Sequence, residues 1–314
     1  MSSAELARFK TRIYEHCGLL LEGIAEDRLR KAIQKSATQA GCIGLDAYYR
    51  LINSDTEEFD ALISQLTVNE TYFFREPEQI QLFSKVLIPR LLEHRSGHQP
   101  IRILSAGCSS GEEPYSLVMA LQEEYGSRTR ELFHFDAGDL DQQILAKARR
   151  GVYSAFSFRG VDEQLQKRYF QPLQTGYQLS ADIREQVHLH ELNLLAPVFP
   201  AGLKNYDLIF FRNVSIYFDM DARQLIHRKF YDLMKDDGIL LLGSSETLGN
   251  DLGVFELVEE AGQYFFVKGD VYKPSGSQAV GWGHGALYRQ PVAQPQAVPA
   301  APLLIQVPPE VVEP

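Results

Sequence analysis

Cysteine is scarce. Cys17, Cys42 and Cys108 are the only 3 in 314 residues, and no two form a C-x-x-C pair. An odd, dispersed set excludes a disulfide framework and fits a reducing compartment. Long apolar runs are missing as well. The N-terminus, M-S-S-A-E-L-A-R-F-K, has no apolar signal core, and no stretch approaches the length of a membrane span. The expected location is therefore cytoplasmic, with no membrane insertion. Positive charge is in deficit: 31 Lys and Arg against 41 Asp and Glu give a formal net charge of -10. That balance argues against nucleic-acid binding, which needs a basic footprint. Histidines are scattered; His188 and His190 alternate on an expected strand without a clear third ligand, so no metal site is expected.

What is present changes texture along the chain. Up to about residue 70 there is no convincing strand. Apolar positions recur at helical spacing, as in Leu29, Ile33 and Ala37 and in Phe59, Leu62, Ile63 and Leu66. From Ile101 onward, apolar strands alternate with amphipathic helices: I-R-I-L-S-A, L-F-H-F-D-A-G-D, Y-D-L-I-F-F-R-N and G-I-L-L-L-G. This pattern predicts an α/β fold with a mostly parallel sheet and helices on both faces. F-E-L-V and Y-F-F-V-K lie close enough for a hairpin, so the last strand is expected to be antiparallel. Residues 155–192 interrupt the alternation and read as a small β excursion that ends on V-H-L-H. From Pro274 the chain turns to Gly, Ser, Ala, Gln and Pro, the composition of a linker or disordered tail. The expected domains are 1–72, all-helical; 73–272, α/β with the inserted subdomain; and 273–314, a tail that could tether a further domain.

The turn S-A-G-C-S-S-G-E-E-P-Y-S, Ser105 to Ser116, follows the first strand and precedes a helix. Its glycines are spaced G-x-x-x-G rather than G-x-G-x-x-G. Two glutamates stand where a pyrophosphate would be repelled. In open α/β sheets, ligands sit beyond the carboxyl ends of the strands. Gly107, Glu112 and Glu113 occupy one such end, Asp139 a second, Asn193-Leu194 a third and Arg212-Asn213 a fourth, with Tyr217 four residues on. A carboxylate after the second strand can accept from ribose hydroxyls. Acid by the first turn suits a cationic tail, which points to S-adenosylmethionine rather than NAD or ATP. The same glutamates would also favour a helix N-terminus through its dipole.

Several runs in order, T-V-N-E-T-Y-F-F-R-E-P, S-A-G-C-S-S-G-E-E-P-Y-S, G-D-L-D, N-L-L and F-R-N-V-S-I-Y-F-D, closely resemble the CheR family of bacterial chemoreceptor glutamate O-methyltransferases. The match covers roughly residues 5 to 270. The resemblance implies a class I S-adenosylmethionine-dependent methyltransferase domain, an all-helical N-terminal domain and a small inserted β-subdomain. It implies a cofactor site of Asn69, Thr71, Arg75, Gly107, Glu113, Asp139, Asn193, Leu194, Arg212 and Asn213. Spacing to Asp139 favours Glu113 over Glu112. Arg75 and Tyr217 would face the reacting groups. Phe211 stands where the family usually has Cys, and Ser215 replaces a commoner apolar residue.

On this reading the nucleophile is a receptor glutamate, ionised at neutral pH, so no general base is needed. Arg75 would orient the carboxylate and Tyr217 would donate one hydrogen bond. The product would be S-adenosylhomocysteine. The partner would be the cytoplasmic methylation region of a chemoreceptor, met by a monomer. Arg28, Lys31 and Lys35 fall at i, i+3 and i+7 of one helix and are expected to share the docking face. Q-P-L-Q-T-G-Y-Q-L is a few residues shorter than the loop of relatives that grip a receptor C-terminal peptide, so a peptide-independent enzyme is expected. The alternatives are a methyltransferase acting on a small molecule and a cofactor-sensing module without transfer.

Overall fold

The structure, a computed structural model, describes residues 1–94, 99–246 and 254–269. The expected tail, 273–314, lies outside the described residues.

Four helices open the chain: α1 (Ser3–Cys17), α2 (Ile24–Gln39), α3 (Leu45–Ser54) and α4 (Thr56–Ser64). Ser2 and Glu5 form a reciprocal capping box at the start of α1, and Gly18 ends it with φ 70°. Leu6, Phe9 and Ile13 recur at three- and four-residue spacing and face Leu29, Ile33, Tyr48, Phe59 and Leu62 in one apolar cluster. Each buried side chain of this size contributes about 1.5–3 kcal/mol. A connector then leads into α5 (Pro77–Leu82), a π turn at Phe83–Leu87 and α6 (Ile88–His94).

The second body alternates: β1 (Ile101–Ala106), α7 (Glu112–Tyr125), α8 (Thr129–Leu132), β2 (Phe133–Asp139) and α9 (Gln142–Arg150). After these come β3 (Val152–Tyr153), α10 (Glu163–Tyr169), β4 (Phe170–Leu173), β5 (Gly176–Leu179), α11 (Ala181–Arg184) and β6 (Val187–Glu191). The described chain closes with β7 (Tyr206–Phe211), α12 (Met220–Leu233), β8 (Met234–Leu242), β9 (Glu256–Glu260) and β10 (Gln263–Val267).

Seven strands form one sheet in the order β6-β2-β1-β7-β8-β10-β9. β6, β2, β1, β7 and β8 are parallel, whereas β10 is antiparallel to both β8 and β9. Alternation along the strands divides two cores. Ile101, Ile103, Leu208, Phe210, Ile239 and Leu241 pack on one face; Leu104, Ala106, Ile209, Phe211, Leu240 and Leu242 pack on the other. Burial on both faces is why the ends of β7 and β8, Leu208–Phe211 and Ile239–Leu242, read as continuous apolar runs.

β3, β5 and β4 make a separate three-stranded antiparallel sheet. The expected excursion ran to residue 192, but V-H-L-H belongs elsewhere. As β6 it pairs in parallel with β2, Asp136 opposite His188, at the edge of the main sheet. Val187 packs into the main core with Leu189 against it. His190 meets Asp136 at 2.9 Å and His188 stacks on His134. Among the described residues no helix is long and apolar enough to cross a membrane, and no cluster of three or more ligating side chains could hold a metal ion.

Candidate active site

A cavity of about 320 Å³ lies at the carboxyl ends of β1, β2, β6 and β7, with residues of the α1–α2 link, of α2 and of the connector after α4 also lining it. That size is ordinary for a small-molecule site. Asn69, Thr71, Arg75, Gly107, Glu113, Asp139, Asn193, Leu194, Arg212, Asn213 and Tyr217 all line it. The chain therefore brings every candidate cofactor and reaction residue into one space, from segments up to about 150 positions apart.

The turn after β1 is built without side-chain bulk. Gly107 has φ 81°, and a Cβ there would lie 2.6 Å from Val214 Cγ2, so no larger residue fits. Phe74, Glu76, Ser109 and Asn213 also adopt left-handed φ, between 49° and 60°, in the segments that frame the cavity. Non-glycine residues held this way cost about 1–3 kcal/mol each and persist where the surroundings over-determine them. Here the surroundings are visible. Phe74 N–H donates to Ser116 Oγ at 2.9 Å, Ser109 N–H to Asp139 at 2.8 Å and Asn213 N–H to Glu246 at 2.5 Å.

Electrostatics centre on Arg212, whose side chain is 1% exposed. It donates to Glu113 Oε2 at 3.1 Å and to the Arg75 carbonyl at 2.7 Å, and lies 3.5 Å from Glu76. Glu113 also accepts from Ser105 Oγ at 2.7 Å. Burial nevertheless pushes the Glu113 carboxyl above its ordinary range, against the pull of Arg212. Burial likewise raises Asp139, although Asp141 and Ser109 N–H groups donate to it. For Glu76, burial acts upward, but Arg212 and Ser244 outweigh it and hold the carboxyl below its ordinary value. Tyr217 is raised by burial and remains a hydroxyl donor at neutral pH.

Glu112 is turned away from the cavity. It is 1% exposed and accepts from Ser110 Oγ at 2.6 Å and Ser157 Oγ at 3.0 Å, fixing the β1–α7 turn to the β-subdomain. Asn193 lines the cavity, yet its amide donates to the His16 carbonyl at 2.7 Å, so the same side chain holds the end of α1. Arg28 does not share a solvent face with Lys31 and Lys35. It donates to the Leu66 carbonyl at 3.1 Å and lines the cavity, whereas Lys31 and Lys35 are exposed. The connector after α4 supplies a carbonyl that helical spacing alone does not reveal.

Three acids escaped the sequence reading. Asp141 accepts from Ser64, Thr67 and Asn69, binding the connector to the start of α9. Glu76 accepts from Asn213 and Ser244, and Glu246 accepts from Asn213 N–H and Ser215 Oγ. Ser215, 1% exposed, thus has a polar task in this chain. Phe211 packs edge-on against Phe230, 5.1 Å between ring centroids, and does not line the cavity.

The mostly parallel sheet with an antiparallel β10, and polar side chains gathered beyond four strand ends with acids at two of them, have the layout of an S-adenosylmethionine-binding methyltransferase domain joined to an all-helical one. The description CheR methyltransferase, SAM binding domain, matches residues 69–263, and CheR methyltransferase, all-alpha domain, matches residues 4–67. The chain belongs to the CheR methyltransferase family. Chemotaxis protein methyltransferase 2 of Vibrio cholerae is 34% identical over 262 residues, 82% of this chain and 90% of that one. The chemotaxis protein methyltransferase of Escherichia coli is 33% identical over 259 residues, 80% of this chain and 86% of that one. The probable biofilm formation methyltransferase WspC of Pseudomonas putida is 34% identical over 239 residues, 76% of this chain; the match spans 56% of that longer relative.

Proposed function

We propose that this protein methylates glutamate side chains in the cytoplasmic methylation region of a chemoreceptor, acting as a monomer and giving glutamate methyl esters and S-adenosylhomocysteine. The reading is carried by one observation. Arg75 and Tyr217, a permanent cation and a hydroxyl donor suited to orienting a carboxylate, line the same cavity as Glu113 and Asp139. A hydroxyl or amine nucleophile would call for a base, whereas a carboxylate is already ionised at neutral pH.

The donor set fits S-adenosylmethionine. Glu113 and Asp139 are acids that line the cavity, and the glycine turn is followed by acid rather than by phosphate-binding cations. Asp139 would hold the ribose, Glu113 the ammonium group, and Asn193 and Leu194 the adenine. When bound, the cofactor supplies an electrophilic methyl group on a cationic sulfur.

The remaining work belongs to the chain. Arg75 offers a guanidinium that orients a carboxylate without taking or giving a proton. Its backbone is held by Arg212, and its Nη1 donates to the Glu70 carbonyl at 3.2 Å. Tyr217 gives one hydrogen bond, and its carbonyl accepts from Leu20 N–H at 3.0 Å, which ties this side of the mouth to the α1–α2 link. Leu20, Leu21 and Ala25 narrow the water-accessible side. Lys31 and Lys35 on the outer face of α2, with Arg28 at the mouth, supply the local attraction an acidic enzyme needs. Gln174 and Thr175 alone join β4 to β5, a tight turn that supports independence from a receptor C-terminal peptide.

Receptor-containing membranes incubated with radiolabelled cofactor test the proposal. Base-labile label on the receptor is expected, and label confined to small molecules would overturn it. Arg75→Ala is expected to lower transfer about 100-fold through misorientation, with a smaller change in cofactor affinity by calorimetry.

A further inference from the structure

Beside the cavity, the β-subdomain presents an arrangement that the reading above leaves unused. The Arg159 guanidinium lies 4.1 Å from the ring centroid of Phe156 and 4.1 Å from that of Tyr72, so two aromatic rings pack against it. Arg75 approaches the same Tyr72 ring at 5.7 Å. One aromatic side chain thus separates the reaction-site arginine from a second arginine. Arg159 also donates to Glu70 Oε1 at 2.9 Å, and the Glu70 carbonyl accepts from Arg75.

The stack is anchored from beneath. Phe73 N–H donates to the Ser157 carbonyl at 2.9 Å, and Ser157 Oγ donates to Glu112. The Phe73 ring packs edge-on against Tyr153 at 4.7 Å and Phe170 at 4.9 Å. The turn carrying Phe156 and Arg159 and the segment carrying Tyr72 and Arg75 are therefore fixed to each other.

We infer that Arg159 is a specificity-determining residue that binds a second acidic side chain of the substrate, next to the glutamate oriented by Arg75. The inference rests on the proposed function. Two rings packed against the guanidinium favour its in-plane N–H edge as the direction in which Arg159 can bind, which is the edge that grips a carboxylate in bidentate fashion. Its present partner, Glu70, has a side chain 67% exposed, against 32% for Arg159. A pair so exposed contributes little to stability, so an incoming carboxylate can replace Glu70 at small cost. Phe156 is 64% exposed. A surface ion pair alone needs no such ring, whereas a preorganised carboxylate fork does. The chain carries a net charge of -10, so an acidic substrate segment is drawn to the few places where cations are fixed beside the site.

The test uses the full chain, S-adenosylmethionine and a soluble receptor methylation-region fragment. Arg159→Ala is expected to raise KM for the fragment about tenfold, the loss of one charge-assisted contact, with kcat within about twofold and cofactor Kd unchanged. Arg159→Lys is expected to recover only part of the loss, because an ammonium neither stacks nor forks. A fragment whose acidic residues within one helical turn of the target glutamate are changed to glutamine should raise KM for the unaltered enzyme and leave Arg159→Ala with no additional penalty. An equal penalty on both fragments, or a fall in cofactor affinity and thermal midpoint alongside KM, would make Arg159 a latch between the subdomain and residues 69–75 and overturn the inference. Unchanged kinetics for Arg159→Ala would overturn it too, while leaving receptor methylation intact. Absence of label on any fragment with the unaltered enzyme removes the proposed function, and this inference with it.

Discussion

Arg212 and Glu113 form an ion pair of 3.1 Å in which the arginine side chain is 1% exposed, and the pair joins the end of β7 to the first turn of α7. Arg212 also lies 3.5 Å from Glu76, whereas Glu113 depends on Arg212. Without Arg212, Glu113 would keep the Ser105 hydroxyl and a weaker attraction from Arg75 in a site that already pushes its carboxyl upward. Removing one member of a buried pair leaves the other uncompensated, at a cost of about 3–5 kcal/mol. Arg212→Ala is therefore expected to lose about that much in urea unfolding. Adding Glu113→Gln to it should restore part of the loss, because the orphaned charge is gone. Additive losses from the two changes would show that the pair is not the source.

Glu113 also predicts how cofactor affinity depends on pH. Burial raises its carboxyl in the free protein. A bound cation favours the ionised form, so binding must release a proton wherever the free carboxyl is protonated. Affinity is then full above the raised free-state pKa and falls as pH drops through it. Calorimetric titration with S-adenosylmethionine at pH values falling from 8 through the raised carboxyl's range should show this weakening, together with proton release that varies with buffer ionisation enthalpy. Glu113→Gln should bind about tenfold more weakly at pH 8 and show a flatter profile. An unchanged profile in the variant would remove Glu113 from the role.

Asp141 marks where the sequence stops being informative. Strands buried on both faces announce themselves as apolar runs, and the carboxyl-end rule then gathers Gly107, Asp139, Asn193 and Arg212 without any knowledge of packing. The alternation in V-H-L-H suits either sheet, and only its pairing with β2 decides. Asp141 reads locally as a helix cap, since it accepts from Gln143 and Ile144 N–H groups. Its three other donors, Ser64, Thr67 and Asn69, are more than 70 residues away, and no local pattern encodes them. Asp141→Ala should cost about 2–4 kcal/mol, combining a lost cap with donors left unpaired. It should also weaken cofactor binding on the proposed reading, because Asn69 loses its anchor. Asp141→Asn keeps acceptor oxygen at the cap and is expected to recover part of the stability. A loss no larger than that of an ordinary cap would confine Asp141 to α9.

His227 gives the last prediction, one about acid stability. It lies on α12, 1% exposed, with its ring 6.2 Å from that of Phe211 and its Nε2 buried without a partner among the described residues. Burial, with a smaller contribution from Arg223, lowers its pKa from 6.5 to about 4. The folded protein thus holds His227 neutral where the unfolded chain would protonate it. Stability is unaffected well above pH 6.5 and falls as pH drops from 6.5 towards 4, because the unfolded state binds the extra proton. At pH 5 this amounts to about 2 kcal/mol. His227→Leu removes the titration and fills an apolar position beside Phe211. Urea unfolding at pH 7.5 and pH 5.0 should show a loss on acidification that is smaller by about 2 kcal/mol in the variant. An identical loss in both proteins would mean that His227 is charged in the folded state, or solvated in a way that its burial beside Phe211 does not allow.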